Sequence, residues 1–321
     1  MPSGAADRVL VLGATGFLGG YLIRELNAAD VPVAVYRRKS SRLDHLAGCR
    51  FTETVGELDD AQGLRGALAG CRAVFNLAAT TSLLQRDAAE RRRWNCDFVG
   101  SLADLLLAAG PVRLVHCSTA GAVGLSPGPA VIDETSPFNA ADIDYFATKR
   151  AGEDALRVAA AKGLDAVVVN PATIVGPRGM RGTQLRALRE LLAGRMWFHP
   201  PGGTCVARAA DVARGMRLAL EKGRAGQRYI LGGTNVPFAE FYGTLARLAG
   251  VRAPFLDLPA GWMPAIGSLS EALLGVAGAD TGRLAARFGW YSSDKAVREL
   301  GYSITPFPEV LKELLAGVRA S

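Results

Sequence analysis

A phenol and an ammonium stand four residues apart in Tyr145-Phe146-Ala147-Thr148-Lys149. On a helix that spacing puts Tyr145 and Lys149 on one face. An ammonium beside a phenol stabilises the phenolate, so the pair can exchange a proton with a substrate oxygen near neutral pH. The motif is short enough to recur by chance, and its position gives it weight. It follows His116-Cys117-Ser118-Thr119-Ala120-Gly121, where an apolar strand ends in two hydroxyls. Strand ends of that kind form the carboxyl edge of a parallel sheet, where ligands bind. Ser118 and Thr119 are adjacent, and either hydroxyl could meet the reacting oxygen.

A second feature lies upstream. Gly13-Ala14-Thr15-Gly16-Phe17-Leu18-Gly19 follows the apolar run Val9–Leu12 and opens an amphipathic stretch, Phe17–Asn27. Gly13 permits a tight turn, Gly16 lets backbone approach a pyrophosphate, and Gly19 lets the helix pack close to the sheet. The helix start then offers free N–H groups and the positive end of its dipole. A dinucleotide held through a ribose 2′-hydroxyl calls for an acidic residue about 20 positions later. The second strand ends instead in Tyr36-Arg37-Arg38-Lys39-Ser40-Ser41-Arg42. Cations and hydroxyls there suit a 2′-phosphate, and that segment has no carboxylate to repel it. The expected cofactor is NADP(H) in preference to NAD(H), with Arg37 and Arg38 nearest the phosphate.

These groups need a scaffold. Strand-like runs at Val9–Leu12, Val31–Tyr36, Arg50–Thr54, Ala73–Leu77, Val112–Cys117 and Ala166–Asn170 alternate with helical stretches, among them Arg86–Ala109 and Asp144–Lys162. Apolar strands with no polar face imply a parallel sheet covered on both sides, and right-handed crossovers make it doubly wound. The fold class is therefore α/β. After Pro171 the rhythm changes to helices separated by Pro- and Gly-rich loops such as His199-Pro200-Pro201-Gly202-Gly203. We expect a dinucleotide-binding unit over residues 1–170 and a smaller, mostly helical substrate lobe over 171–321, with some exchange of elements.

Composition narrows the function classes. Hydrophobic residues make up 49% and charged residues 21%, which excludes a disordered chain. The net charge of +7 comes from scattered arginines, so no nucleic-acid stripe is indicated. Cys49, Cys71, Cys96, Cys117 and Cys205 lie far apart, and no metal-ligand spacing links them to His45, His116 or His199. A reducing cytoplasm fits such thiols, and no metal is expected. The weakly polar stretch 260–279 contains Pro264 and Glu271 and is poor material for a membrane span.

The motifs GATGFLG, FNLAA at Phe75–Ala79, CSTAGAVG at Cys117–Gly124, YFATK and NPATIVGP at Asn170–Pro177 occur in one order along the chain, with YSSDKAVRELGY closing at Tyr302. In that order, and over nearly its whole length, the sequence resembles the extended short-chain dehydrogenases. It is most similar to the branch that holds dihydroflavonol 4-reductases, 3β-hydroxysteroid dehydrogenases and bacterial hopanoid-associated sugar epimerases. The resemblance implies a Rossmann fold and makes Thr119 the hydroxyl that bonds the reacting carbonyl, with Ser118 as the alternative. Tyr145 becomes the general acid in reduction; Lys149 lowers its pKa and holds the nicotinamide ribose. Arg37 matches the branch's 2′-phosphate arginine, and Leu58 the adenine contact. Ala78 and Ala79 pass under the cofactor, while Pro171 and Ile174 flank the nicotinamide. Pairing of the two long helices as a homodimer is a further implication.

The chain departs from the family in places. Glu57 replaces its usual Asp, and Asp97 stands three residues before Gly100 where Asn is common, with Asn95 two residues earlier. Thr204 holds the place of an arginine that sugar-nucleotide epimerases use. Thr81, Met180 and His199 are candidates for the substrate cleft. Trp262, Met263, Ile266, Leu269, Leu273 and Leu274 recur at rough helical spacing, which reads mainly as core and otherwise as a lid over an apolar substrate. The leading expectation is an NADPH-dependent reductase of an apolar carbonyl compound. An NAD-dependent sugar-nucleotide epimerase and a non-catalytic NADP(H) sensor are the alternatives.

Overall fold

The computed structural model describes residues 7–179, 182–275 and 278–319. The chain begins β1 (Arg8–Leu12), α1 (Phe17–Ala28), β2 (Val33–Arg37), β3 (Thr52–Val55), α2 (Ala61–Leu68) and β4 (Cys71–Asn76). A long helix follows, α3 (Ala88–Arg92), which passes through a π turn at Arg93–Asp97 into α4 (Phe98–Ala109). Then come β5 (Arg113–Cys117), α5 (Asp144–Ala161) and β6 (Ala166–Pro171). All of these strands and β10 (Arg228–Leu231) join one parallel seven-stranded sheet, in the order β10-β6-β5-β4-β1-β2-β3. The chain reverses its direction of travel between β4 and β1, which opens a crevice at their carboxyl ends.

The sheet is apolar on both faces because its strands carry β-branched and large aliphatic residues without interruption. Val9, Val11, Val35, Phe75, Val115, Val167 and Val169 point to one side, against Leu22, Ile23 and Leu26 of α1 and Val212 and Met216 of α7 (Ala209–Lys222). Leu10, Leu12, Tyr36, Val74, Leu114 and Val168 point to the other, against α2, α4 and α5. The third strand lies two residues later than its sequence pattern suggests. All four of its residues are exposed, as an edge strand's can be.

Three elements from the second half, α7, β10 and α11 (Asp294–Leu300), build on this sheet: β10 extends its edge, α7 covers β5 and β6, and α11 packs on α7 and β10. The rest forms a smaller unit around β9 (Gly203–Arg208). It pairs with β7 (Thr173–Val175), β11 (Thr234–Pro237) and β13 (Phe288–Gly289). Helices α6 (Gly182–Leu192), α8 (Phe238–Ala249) and α12 (Phe307–Arg319) supply its core, through Leu188, Leu191, Leu245, Leu311 and Leu314. A short parallel pair, β8 (Phe198–His199) and β12 (Leu256–Asp257), lies beside α8, and α9 (Met263–Leu274) and α10 (Ala279–Ala285) cross each other nearby in the chain.

The apolar residues of α9 do not form the core expected of them. Met263 is buried, but Trp262, Leu269, Leu273 and Leu274 are exposed. Glycines explain the difference. A Cβ on Gly267 would strike the Gly278 carbonyl, and one on Gly282 would strike the Met263 carbonyl. The helices therefore meet backbone to backbone along a narrow strip, and the large side chains of α9 are left outside it.

Candidate active site

The crevice starts at the glycine loop. Gly13 has a φ of +77°, and a Cβ there would lie 2.6 Å from the Ala78 nitrogen, so only glycine lets the loop lie against the end of β4. A Cβ on Gly19 would strike the Ala14 carbonyl, so the start of α1 must press onto the loop. Gly16 donates its N–H to the Gly13 carbonyl at 3.0 Å and caps α1 without a side chain. The first turn of α1 carries no acidic residue, which leaves its N–H groups free for an anion. Thr15 is half-buried and Phe17 packs edge-on to Tyr21, whereas Leu18 turns into the core beneath. These features fit a dinucleotide pyrophosphate.

At the end of β2, Arg37 meets a carboxylate that its own segment does not contain. Parallel pairing sets Val35 opposite Glu53, and Arg37 reaches back to Glu53 through Nε (2.7 Å) and Nη2 (3.0 Å). Its Nη1 donates to the Arg38 carbonyl at 3.2 Å, while Arg38 and Lys39 themselves are exposed. The segment itself carries no carboxylate, but the sheet brings Glu53 in from the neighbouring strand. Leu58 packs against the core on the Tyr36 side, and the Tyr36 hydroxyl donates to the Glu57 carbonyl at 3.1 Å.

Ala78 is buried at the floor, and its N–H donates to Oδ1 of Asn76 at 3.1 Å. That bond fixes the Asn76 amide, so its Nδ2 faces Nδ1 of His116 at 3.2 Å and donates to it. The imidazole proton then sits on Nε2, which is buried without a protein partner. Burial, with Lys149 nearby, holds the His116 pKa well below the usual histidine range. Asn95, in the π turn, clamps the next loop residue. Its Oδ1 accepts from the Thr80 nitrogen (3.0 Å), and its Nδ2 donates to the Thr80 carbonyl (2.9 Å) and to Oγ1 of Thr148 (3.4 Å).

Helix α5 delivers Tyr145 and Lys149 to the carboxyl end of β5. Burial raises the Tyr145 phenol pKa, against a smaller lowering by the nearby Thr119 hydroxyl, so the phenol is protonated at neutral pH. Ser118 is buried, and its hydroxyl has no protein partner. Lys149 is buried and donates from Nζ to the Cys117 carbonyl at 2.8 Å. Burial lowers its pKa, while Cys117 and Glu153 pull the other way. The Cys117 thiol is itself pushed up to about 11 by burial and is neutral near pH 7. Glu153 is therefore the negative group that favours the ammonium.

Behind this line, Asn170 donates from Nδ2 both to the Thr119 carbonyl (2.9 Å) and to Oε1 of Glu153 (2.6 Å). Glu153 is buried, and its Oε2 lies 2.9 Å from Nη2 of Arg228. Pro171 follows Asn170 at the end of β6, and Ile174, three residues further on in β7, packs against the core.

The cleft walls near Tyr145 are apolar. Leu83, Phe138, Ala172 and Leu284 pack with Tyr145 against a cluster that contains Ile143, Phe146 and Tyr291. Arg91 is fully buried and ties the Ser82 and Leu84 carbonyls to the Asp144 carboxylate (2.7 Å from Nε), so the loop carrying Leu83 is anchored beside Tyr145. Thr204 is hydrogen-bonded to Thr173 at 2.6 Å. Thr81 is exposed in the loop after β4, and Ala79 beside it is half-buried. His199 pairs with Asp257 across β8 and β12 (3.2 Å) and contacts the Pro200 carbonyl. Met180 lies outside the described residues. Among the described residues no three metal-ligating side chains cluster, and no helix is long and apolar enough to cross a membrane.

Arg91, Asn170 and Glu153 were not read from the sequence as parts of the site, and Asn95 was noted only as lying two residues before the position where the family commonly has Asn. Glu153 had a usable signal, since it continues the Tyr145–Lys149 spacing by four more residues. Arg91 had none, because a run of arginines looks like helix surface.

The model of a family described as "NAD dependent epimerase/dehydratase family" matches residues 9–232. Sterol demethylase protein B of Methylococcus capsulatus is 34% identical over 82% of this chain and 81% of its own. A putative dihydroflavonol 4-reductase of Synechocystis is 30% identical over 96% of this chain and 93% of its own. Among solved structures, that of gox2253 superposes with a TM-score of 0.86 at 30% identity, covering 98% of both chains.

Proposed function

The chain belongs to the NAD dependent epimerase/dehydratase family, and within it we propose an NADPH-dependent reductase that interconverts a carbonyl and a hydroxyl on an apolar small molecule. One observation carries the proposal. Tyr145 lies close to the Thr119 hydroxyl at the carboxyl edge of the sheet, among Leu83, Phe138, Ala172 and Leu284. Apolar walls with few polar groups suit a ring ketone better than a sugar diphosphate. The names of the relatives, a sterol demethylase protein and a dihydroflavonol reductase, support the same direction.

In this reading residues 1–170 hold the cofactor and residues 171–321 hold most of the substrate. The loop Gly13-Ala14-Thr15-Gly16-Phe17-Leu18-Gly19 and the start of α1 take the pyrophosphate through backbone N–H groups. Arg37 and Arg38 face the 2′-phosphate, Leu58 the adenine, and Ala78 and Ala79 the underside. Pro171 and Ile174 border the nicotinamide, whose contribution when bound is a hydride for the carbonyl carbon. Thr119 bonds the substrate oxygen and aims it at Tyr145. Tyr145 gives that oxygen its phenolic proton, so hydride and proton together convert ketone to alcohol. Lys149 stabilises the phenolate left behind, which solvent then reprotonates. Thr81 and His199 belong to the outer substrate contacts. Five free thiols suit the cytoplasm, and α4 with α5 is the face for a homodimer.

NADPH consumption across steroid-like, quinone-like and flavonoid-like ketones tests the reading. With an accepted ketone, Tyr145→Phe should cut kcat by at least about 100-fold while cofactor Kd changes less than about twofold. Turnover near wild type in that variant overturns the mechanism. A second reading, an epimerase that recycles tightly held NAD, draws on the Arg37–Glu53 pair, because a carboxylate there suits a 2′-hydroxyl. Against it stands Thr204, committed to Thr173 where that class has an arginine. Release of NAD from freshly purified, denatured protein distinguishes the two.

A further inference from the structure

The buried carboxylate of Glu153 has no part in the chemistry above, yet it contacts Asn170 on β6 and Arg228 on β10. On α5 the residues Tyr145, Lys149 and Glu153 succeed each other at four-residue spacing, so they form one stripe from the cleft into the core. Lys149 is buried with one neutral hydrogen-bond partner, the Cys117 carbonyl. A buried ammonium with only a carbonyl for company is costly, and it deprotonates unless a negative charge lies close by. Glu153 is the carboxylate on its stripe. The remaining groups facing Lys149 and Glu153 are Tyr145 on α5, Cys117 and His116 on β5, Asn170 on β6, Arg228 on β10, and Arg157 on α5 beside the small cavity of about 80 Å³ behind Glu153. Of these, Cys117 and His116 are held neutral by burial near pH 7.

The same carboxylate fixes an amide. Asn170 spends its Nδ2 on both the Thr119 carbonyl and Glu153 Oε1, and its own Oδ1 is buried without a partner. The reversed amide would set an oxygen against two acceptors. The Asn170 orientation therefore depends on an acceptor at Glu153, and through it the backbone of Thr119 is held beneath the Tyr145 hydroxyl.

We propose that Glu153, tuned by Arg228, is a positioning residue that keeps Lys149 charged and locks Asn170 under Thr119. The inference rests on the reductase reading for its purpose, but not for its test. The protein has six lysines (Lys39, Lys149, Lys162, Lys222, Lys295 and Lys312), so lysine labelled with carbon-13 at the ε-carbon gives a spectrum simple enough to titrate by NMR. Lys149→Arg identifies the Lys149 resonance by its loss.

Glu153→Gln keeps an acceptor for Asn170 but removes the charge, and it should lower the Lys149 midpoint by about one pH unit. Arg228→Gln removes the opposing cation and should raise that midpoint by about half a unit. Glu153→Asp keeps the charge and should return the midpoint to within about 0.3 units of wild type. A purely structural role lowers the melting temperature of all three variants and moves none of the midpoints, which overturns the inference. Should Glu153→Gln fail to fold, Arg228→Gln carries the test alone, because its side chain is partly exposed and its predicted shift has the opposite sign. An enzyme inert toward every ketone whose Lys149 midpoint still moves as described supports the inference while the reductase reading falls.

Discussion

Asn95→Ala is the sharpest test of how the cofactor floor is held. Asn95 is fully buried and makes two backbone hydrogen bonds to Thr80, at 2.9 and 3.0 Å, with a longer third to Thr148. A net hydrogen bond contributes about 1 kcal/mol, and a buried group left unpaired costs more. Thr80 is half-buried, so water can reach part of what the alanine exposes. The expected loss is then about 2–3 kcal/mol of stability, or about 3–5 °C in melting temperature for a chain of this length. In the proposed reading, where Ala78 and Ala79 lie under the cofactor, a released loop must be reordered on binding, so NADPH Kd should weaken by about tenfold. Urea unfolding and NADPH fluorescence titration measure both quantities. Asn95→Asp separates the bonds further: it keeps the acceptor for the Thr80 nitrogen, loses both donors, and sets a carboxylate against the Thr80 carbonyl. It should be no better than alanine. A stable Asn95→Ala protein with unchanged NADPH affinity refutes the clamp.

Further outcomes are expected elsewhere in the site. Thr119→Val should lower kcat by about 10- to 100-fold with cofactor affinity retained, whereas Ser118→Ala should stay within about twofold, since its hydroxyl has no protein partner. Steady-state kinetics on one accepted ketone decides between them. Glu53→Gln should increase the ratio of NADPH to NADH efficiency several-fold, because it removes the negative charge that both occupies Arg37 and repels a 2′-phosphate. Arg37→Ala should decrease the same ratio, and equal ratios in both variants would sink this account of selectivity. His116 gives a pH dependence. Its folded pKa lies well below its unfolded value of about 6.5, so below that pH the unfolded chain binds a proton that the folded chain refuses. Stability should fall as the pH drops through about 6.5 toward the folded pKa, by up to about 1.4 kcal/mol per unit from this residue. Denaturant midpoints for His116→Gln should be correspondingly flatter with pH in that window.

The sheet was legible because its strands are short, apolar and unbroken, as in Val9–Leu12, Val33–Tyr36 and Ala166–Asn170. Glycine-loop geometry was legible too, since positive φ and close backbone approach leave no choice of residue at Gly13. What stayed hidden was contact between distant segments. Glu53 lies sixteen residues from Arg37 and meets it only through strand register. Asn95 acquires its role from a π turn, which aims it at Thr80 and which no periodicity announces. The α9 residues misled because helical spacing reports that a stripe exists, but not whether a partner helix meets it through side chains or through glycine backbone.

The wall around Tyr145 also limits how the two parts of the chain can move. Phe146, Ile143 and Val123 come from the first part; Cys205, Ile230 and Tyr291 come from the second, and all are buried in one cluster. Tyr291 donates its hydroxyl to the Gly124 carbonyl at 2.9 Å, and isolated bridges join Ser126 to Phe288 and Ile132 to Tyr291. Opening a hinge near residue 171 would expose that cluster and strip these bonds together, at a cost of several kcal/mol. By contrast, α9 joins the loop after β4 through Glu271, which accepts from the Gln85 nitrogen at 2.9 Å and lines a cavity of about 390 Å³ beside Leu83 and Asp280. Moving that edge also breaks the bond from the Asp144 nitrogen to Asp280 Oδ2 (3.0 Å) and the contact of Arg283 with the Asp142 carbonyl, a few hydrogen bonds in all and fewer than the hinge would lose. Substrate entry is therefore cheapest at the α9–α10 edge, and substitutions there should alter KM for bulky ketones while the proton-transfer pair, fixed by the shared cluster, keeps its geometry.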